Sequence, residues 1–216
     1  MSFIAHHTLQ IFLGGVIGAR LVFILQNGKY FLLQFNLNHF LEMFYIWDKN
    51  LSFWGGVLGI ILTLIYLCRK EKENLAKWLD ISSIAILGGM IFGYIGAYFD
   101  GRNYGNETSL PWGIMLESSR FAVPIHPTQI YGAIYTAILT FILFRIAQQK
   151  LIKKDGVIAL ITIISYSFLR FLEEFLRGDE ANFYFIGLRD AQIYCLIAFL
   201  GASALLFLRY RKINNS

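Results

Sequence analysis

The sequence VIALITIISYSFLRFLEEFLR, residues 157–177, is an apolar stretch long enough to cross a bilayer, and it carries charge near its end. At helical spacing, four ionisable side chains fall within one arc of roughly 100°: Arg170, Glu173, Glu174 and Arg177. Ionisable groups in a membrane are costly unless they face a protein interior or a wet cavity, so this arc predicts a functional site. The alternative is a helix end at the headgroups, where Arg170–Glu174 and Glu173–Arg177 form ordinary i,i+4 ion pairs.

The rest of the chain has the composition of an integral membrane protein. Hydrophobic residues make up 56% of it and charged residues 15%. Apolar stretches of about 20 residues predict six transmembrane helices, at 7–27, 51–68, 79–99, 128–147, 157–176 and 190–208. The predicted fold class is all-α: a polytopic membrane helical bundle of about six helices with an outward-facing loop cap, built as a single domain over residues 1–216.

Charge predicts the orientation of the chain. Lysine and arginine are concentrated in loops 69–78 and 148–156 and in the tail after Leu208. Basic loops face the cytoplasm, so both termini are expected inside. Loops 28–50, 100–127 and 177–189 then face outward. The net charge of +5 needs no nucleic acid to explain it.

The outward loop 100–127 holds the chemistry-bearing residues that the apolar spans lack. Long loops in compact folds are usually functional. His126 can exchange protons near neutral pH, and equally could be a structural hydrogen-bond donor. Arg102, Arg177 and Arg20 are candidates for holding a phosphate, because guanidinium pairs bidentately with phosphate oxygens. Such a site suggests a phospholipid headgroup as its ligand.

Two local patterns flank this loop. Thr128 is predicted to be the N-cap of the next span. Before the loop, small residues predict close helix packing or, less favoured, the approach of a lipid chain: Gly88, Gly89, Gly93 and Gly96. Cys68 and Cys195 are expected to be inert packing residues. The histidines have no ligand spacing with carboxylates or thiols, so no metal and no cofactor are expected.

Six segments of the chain, in this order, resemble prolipoprotein diacylglyceryl transferases: GGVIGAR (14–20), LSFWGG (51–56), GYIGAYFDGRNYG (93–105), LPWGI (110–114), IHPTQIY (125–131) and EFLRGDE (174–180). The resemblance covers nearly the whole chain. It implies transfer of diacylglycerol from phosphatidylglycerol to the lipobox cysteine of an exported precursor, at the outer leaflet of the bacterial inner membrane. Its implied partners are therefore phosphatidylglycerol, lipobox-containing precursors and the bilayer, without nucleic acid.

Several positions depart from the family pattern. The family has seven spans and this chain begins where the second would, so the first is expected to be absent. The pattern G-R-x-G-N-F-x-N-G-E has its arginine, two asparagines and glutamate replaced by Tyr94, Ala97, Asp100 and Arg102. The histidine of H-G-G is replaced by Trp54, and a glutamate after the tyrosine of H-P-S-Q-x-Y by Gly132.

The resemblance and the charge pattern together assign roles. His126 is the expected base for the acceptor thiol, while Arg102 and Arg177 hold the phosphate with Arg20. The remaining substrate-binding residues are expected to be Asp100, Gln129, Tyr131, Arg170 and Glu174. Two alternatives stay open: a divergent phospholipid-binding protein without this reaction or with another acceptor, and a small transporter that uses the charged face of 157–176.

Overall fold

The computed structural model describes residues 3–33, 36–45, 51–116, 122–152, 154–181 and 184–214. The side chain of Trp54, one of the predicted departures, lies outside the described residues. The chain divides into two compact units, Met1–Trp78 and Leu79–Ser216. The single domain over residues 1–216 stays a prediction.

The described residues are mainly helical. The helices are α1 (Phe3–Gln26), a π-helical turn (Lys29–Leu33), α2 (Leu37–Glu42), α3 (Phe53–Glu71), α4 (Leu75–Phe99), α5 (Thr128–Gln148), α6 (Val157–Glu173), a 3-10 turn (Glu174–Leu176) and α7 (Asp190–Asn214). Two short antiparallel strands, β1 (Tyr184–Phe185) and β2 (Leu188–Arg189), form a hairpin before α7. This hairpin lies in a segment predicted only as a loop.

The predicted all-α polytopic membrane fold is confirmed. Among the described residues, four helical segments are long and apolar enough to cross a membrane: Ala5–Gln26, Leu75–Phe99, Thr128–Gln148 and Asp190–Arg211. The other two predicted spans, 51–68 and 157–176, coincide with α3 and α6, which are 19 and 17 residues long. Apolar length therefore located each of the six long helices that the described residues form.

The first unit is held together by close packing of α1 against α3. Gly18 lies so near α3 that an added Cβ would be 2.4 Å from the Gly55 carbonyl oxygen and 2.7 Å from the Gly59 Cα. Both helices carry glycines four residues apart, the spacing that lets helix backbones approach in membranes. An ion pair of 2.7 Å between His7 Nε2 and Glu71 Oε1 joins the start of α1 to the end of α3.

In the second unit, α6 packs against α5 and α7. Of the four glycines predicted to pack in α4, only Gly88 has a neighbour, since a Cβ there would lie 3.5 Å from Thr140 Cγ2 of α5; a Cβ at Gly89, Gly93 or Gly96 would meet no described atom within 4 Å. The start of α6 is fixed by Asp80 of α4 instead. Its carboxylate accepts hydrogen bonds from the backbone N–H groups of Gly156 (2.6 Å) and Ala159 (2.7 Å).

Candidate functional site

The charged arc of 170–177 is buried inside the second unit. The side chains of Glu173 and Glu174 are 3% and 2% exposed, and Arg170 is 15% exposed. Arg170 Nη1 lies 2.5 Å from Glu174 Oε2 and 3.2 Å from Glu173 Oε1. The alternative of a helix end at the headgroups is therefore wrong, although both of its ion pairs are present: Arg170–Glu174 at 2.5 Å and Glu173–Arg177 at 4.0 Å.

Two further residues complete an ionic cluster, which we define as Arg170, Glu173, Glu174, Arg177, Asp179 and Arg189. Arg189, from β2, places Nε 2.7 Å from Glu174 Oε1 and Nη2 3.0 Å from Asp179 Oδ1. Neither Arg189, at the end of the predicted loop 177–189, nor Asp179 was predicted from the sequence as a site residue. The cluster holds as many arginines as carboxylates, so its formal charges cancel.

The three arginines of the cluster differ in how many of their donors are engaged. Arg177 donates from Nε to Asp179 Oδ1 (2.7 Å), and from Nη2 to Asp179 Oδ2 and to Asn103 Oδ1 (2.9 Å). Arg189 adds a hydrogen bond from Nη1 to the Arg177 carbonyl, at 3.2 Å. Arg170 contacts Glu173 and Glu174 through Nη1 alone, as ion pairs outside hydrogen-bond geometry; its Nε and Nη2 have no partner among the described residues. Arg177 Nη1 lies 4.0 Å from Glu173 Oε1, so Arg170 is the arginine of the cluster with two adjacent nitrogens, Nε and Nη2, to spare among the described residues.

Three tyrosines, Tyr94 of α4, Tyr135 of α5 and Tyr166 of α6, form a cluster, and the hydroxyls of the first two reach Glu173. The Tyr135 hydroxyl donates to Glu173 Oε2 at 2.6 Å, and the Tyr94 hydroxyl donates to the same oxygen at 3.1 Å. The Tyr94 hydroxyl also lies 2.6 Å from that of Tyr135 and 3.4 Å from that of Tyr166. Sequence reasoning missed this tyrosine cluster.

The ring of Tyr94 occupies the space above Gly132. A Cβ at Gly132 would lie 2.1 Å from Tyr94 Cε1, which no side chain tolerates. Positions 94 and 132 are two of the departures from the family pattern, and the structure makes them direct neighbours. The ring of Tyr94 therefore requires glycine at position 132.

The loop after α4 begins with a helix C-cap that requires glycine. Gly101 has φ +65°, its N–H donates to the Tyr98 carbonyl, and the Arg102 N–H donates to the Ala97 carbonyl. This pair of hydrogen bonds is the Schellman motif, which ends a helix and turns the chain away. It places Arg102 immediately after α4.

Two residues at the start of α5 hold this loop. Thr128 Oγ1 donates to the Asn103 carbonyl at 2.5 Å, and Gln129 Nε2 donates to the Arg102 carbonyl at 2.7 Å. Thr128 is the first residue of α5 and Pro127 the N-cap, so the N-cap prediction for Thr128 is wrong. The Thr128 hydroxyl serves a neighbouring carbonyl because the loop passes over the helix end. Gln129 Oε1 is buried and has no hydrogen-bond partner among the described residues.

The Arg102 side chain forms no ion pair with the ionic cluster among the described residues. Its side chain is 67% exposed, and Nη2 lies 2.5 Å from Asp100 Oδ2. The structure therefore pairs Arg102 with Asp100, while Arg177 is paired with Asp179 and Asn103.

His126 lies beside two aromatic residues. Its Nδ1 is 3.3 Å from the Tyr131 hydroxyl, which accepts a hydrogen bond of 2.7 Å from Trp112 Nε1. His126 Nε2 has no hydrogen-bond partner among the described residues. The backbone ties His126 to the cluster's neighbourhood, because Gly105 donates to the His126 carbonyl and pairs with Arg177 across a β-bridge.

An apolar cavity of about 330 Å³ opens between α4 and α5. Tyr94, Tyr98, Gln129 and Ala133 are among its lining residues. Tyr94 therefore separates this cavity from Glu173, since its ring lines the cavity and its hydroxyl reaches the carboxylate. The described residues contain no group of three histidines, cysteines or acids that could hold a metal ion.

Arg20 lies in the first unit. It is buried and donates from Nε to the Met43 carbonyl at 2.9 Å, and from Nη2 to the Glu42 carbonyl. These carbonyls end α2, where a cation is favoured by the helix dipole. This position of Arg20 indicates a role in holding α2.

Comparison with known proteins identifies the relatives of this chain. The family model described as prolipoprotein diacylglyceryl transferase matches residues 2–208. A phosphatidylglycerol–prolipoprotein diacylglyceryl transferase of Geobacter sulfurreducens is 33% identical over 180 residues, which cover 83% of this chain and 66% of that protein. Proteins of the same name from Paracidovorax citrulli and Campylobacter lari are 31% and 30% identical over 173 and 210 residues. These cover 78% and 94% of this chain, and 62% and 76% of those relatives. The chain thus spans just under two thirds of the length of the first two relatives.

Proposed function

The chain belongs to the prolipoprotein diacylglyceryl transferase family, and from that premise we propose that it transfers diacylglycerol from phosphatidylglycerol to the lipobox cysteine thiol of exported prolipoproteins. The chain is a multi-pass protein of the bacterial inner membrane. The observation that carries the proposal is the buried ionic cluster with one arginine, Arg170, whose Nε and Nη2 are unbound among the described residues.

Arg170 binds a phosphate oxygen of the donor lipid, because unbound guanidinium donors in a buried site favour a phosphodiester. Arg102, which is exposed, approaches the same headgroup from the loop. Arg177 and Glu174 keep the site in shape, since both are committed to partners within the cluster. The apolar cavity between α4 and α5 accepts an acyl chain.

His126 acts as the base. The acceptor thiol gives its proton to the unbound ring nitrogen, Nε2, while Tyr131 orients the ring through Nδ1. The sulfur attacks the glyceryl carbon, a C–S bond forms, and the C–O bond to phosphate breaks. Glycerol phosphate departs with the additional negative charge, which Arg170 stabilises.

The test is to incubate the purified chain with phosphatidylglycerol and a lipobox peptide and to weigh the peptide by mass spectrometry. We expect a mass gain of one diacylglyceryl group on the cysteine. Arg102→Ala should lower the rate by about 100-fold or more, the size expected when a charge-stabilising donor is lost. His126→Ala should abolish the gain. A full rate in either variant would contradict the corresponding role.

One observation favours a second candidate, a phospholipid-binding relative that does not carry out this transfer. Tyr94 stands where the family pattern has an arginine, and its ring is fixed against Gly132. The site therefore lacks one cation of that pattern. Phospholipid that co-purifies with the chain while the peptide stays unmodified would support this candidate.

A further inference from the structure

The tyrosine cluster acts on only one side of Glu173. Oε2 accepts the hydroxyls of Tyr135 and Tyr94, at 2.6 Å and 3.1 Å. Oε1 faces the arginines instead, 3.2 Å from Arg170 Nη1 and 4.0 Å from Arg177 Nη1. The hydroxyls therefore fix the carboxylate in one orientation, with its other oxygen towards Arg170.

This orientation limits what Arg170 can do. Glu173 Oε1 and Glu174 Oε2 both form ion pairs with Arg170 Nη1, so two carboxylates share one nitrogen of the guanidinium. A rotation of Glu173 would let the carboxylate bind a second guanidinium nitrogen and occupy the donors that a ligand needs. A bidentate oxyanion requires two adjacent donors, and the free Nε and Nη2 of Arg170 fit that requirement.

The position of Tyr94 is itself fixed by its surroundings. The residue is 7% exposed, and its ring fills the space that the absence of a side chain at Gly132 leaves open. Its hydroxyl is within reach of Glu173 only because the ring lies there. Hydrogen bonds from Tyr94 and Tyr135 to Glu173, and the ion pair of Glu173 with Arg170, therefore connect α4 and α5 to Arg170.

We propose that Tyr94 and Tyr135 are positioning residues: through Glu173 they hold Arg170 with Nε and Nη2 available to the phosphodiester oxygens of a phospholipid. This inference rests on the proposed function for the class of ligand and concerns binding, not the transfer step. Neither tyrosine touches the reacting atoms. The two act by keeping a carboxylate away from the donors of the arginine.

The sharpest test compares Tyr135→Phe with Tyr166→Phe. Each removes one hydroxyl from the tyrosine cluster, but among the described residues the Tyr166 hydroxyl makes no hydrogen bond to Glu173, and its hydrogen-bond partner is the Tyr94 hydroxyl, at 3.4 Å. Binding of phosphatidylglycerol, phosphatidylcholine and diacylglycerol is measured in lipid nanodiscs without any acceptor peptide. The midpoint of thermal unfolding is measured for every variant.

Tyr135→Phe should weaken binding of both phospholipids by about tenfold, the size expected for one hydrogen bond to a charged group. It should leave diacylglycerol binding unchanged, because that lipid has no phosphate. Tyr166→Phe should bind all three lipids as the parent does. Tyr94→Phe, which keeps the ring above Gly132, is a second variant with the same expectation as Tyr135→Phe.

Equal effects of Tyr135→Phe and Tyr166→Phe, equal weakening of diacylglycerol binding, or a parent chain that binds neither phospholipid would overturn the inference. Where transfer is observed, Tyr135→Phe should raise KM by about tenfold with a smaller change in kcat. Transfer with an unchanged KM would overturn the inference and leave the proposed function intact. If the chain transfers nothing, but Tyr135→Phe selectively weakens binding of the two phospholipids, the inference stands and the proposed function fails.

Discussion

The pair Tyr94 and Gly132 shows how one residue fixes another. A Cβ at Gly132 would be 2.1 Å from Tyr94 Cε1, 2.4 Å from Cδ1 and 2.5 Å from Cζ. All three atoms belong to a rigid ring whose hydroxyl is bound at its far end. The ring cannot move aside without leaving Glu173, so the two departures from the family pattern amount to a single change.

Gly132→Ala should therefore destabilise the chain by about 1–3 kcal/mol, the usual cost of overpacking a filled site. The same change in a Tyr94→Ala background should cost nothing, because the obstructing ring is gone. Unfolding in detergent measures both. Gly93→Ala in α4, where a Cβ would meet no described atom within 4 Å, is the matched control. Additive effects of the Gly132 and Tyr94 changes would contradict the contact.

At this scale, much of the site was predictable. Charge at positions 170–177 of an apolar span indicated a buried site. An ionisable side chain in a membrane is costly in free energy unless it contacts protein partners or water. Tyr166 lies one turn before Arg170 on the same arc, so extending the arc would have found it. Asp179 and Arg189 could not be assigned this way, because their partners lie across a turn that helical spacing does not describe.

Among the elements, α6 depends on a residue of another helix. Asp80 of α4 accepts hydrogen bonds from the backbone N–H groups of Gly156 and Ala159, at the N-terminus of α6. Helix N-termini leave such donors unsatisfied, and no side-chain cap of its own occurs at Gly156. Asp80 thus supplies from α4 the cap that α6 lacks.

Asp80→Ala should lower the free energy of unfolding by about 1–3 kcal/mol, because two buried donors lose their acceptor. Thermal unfolding of the purified chain is the measurement. Asp155→Asn removes an exposed carboxylate next to Gly156 and serves as the control for a general charge effect. If the two variants lost equal stability, the capping role would be refuted.

The packing of α1 against α3 yields a second prediction for elements. A Cβ at Gly59 would be 2.1 Å from the Gly14 carbonyl oxygen, whereas one at Gly56 would make an ordinary contact of 3.7 Å with Ala19 Cβ. Gly59→Ala should therefore lower the midpoint of thermal unfolding clearly, since backbone atoms of α1 must shift. Gly56→Ala should leave it unchanged or raise it. The opposite order of the two variants would contradict the packing.

At the scale of elements, the sequence predicted where the helices lie but not which helices pack closely through their glycines. Apolar length located the helices, because a spanning helix needs about 20 apolar residues wherever it packs. Glycine content did not identify the packed pair: a Cβ at Gly89, Gly93 or Gly96 would meet no described atom within 4 Å, while Cβ atoms at Gly18 and Gly59 would meet backbone. The same four-residue spacing occurs in α1 and α3, and only the structure distinguishes a glycine at an interface from one that faces lipid.

For the whole molecule, the charge asymmetry of the loops predicts the orientation of the chain in the inner membrane. Loop 69–78 and the tail after Leu208 are rich in lysine and arginine, so we place them in the cytoplasm and loop 100–127 outside. The helices alone do not decide this, because an apolar span crosses a bilayer equally well in either direction. Only the free-energy cost of moving basic loops across the membrane favours one orientation over the other.

A labelling experiment distinguishes the two orientations. Cys68 and Cys195 are first replaced by serine, and one new cysteine is introduced at the exposed positions Asn106 or Lys70. In intact spheroplasts, Asn106→Cys should react with a membrane-impermeant maleimide, and Lys70→Cys should react only after the membrane is permeabilised. Because the proposed acceptor is an exported protein, the loop that carries His126 must face the side from which that protein arrives. Labelling of Lys70→Cys in intact spheroplasts would show the opposite orientation. An exported cysteine would then have no access to His126.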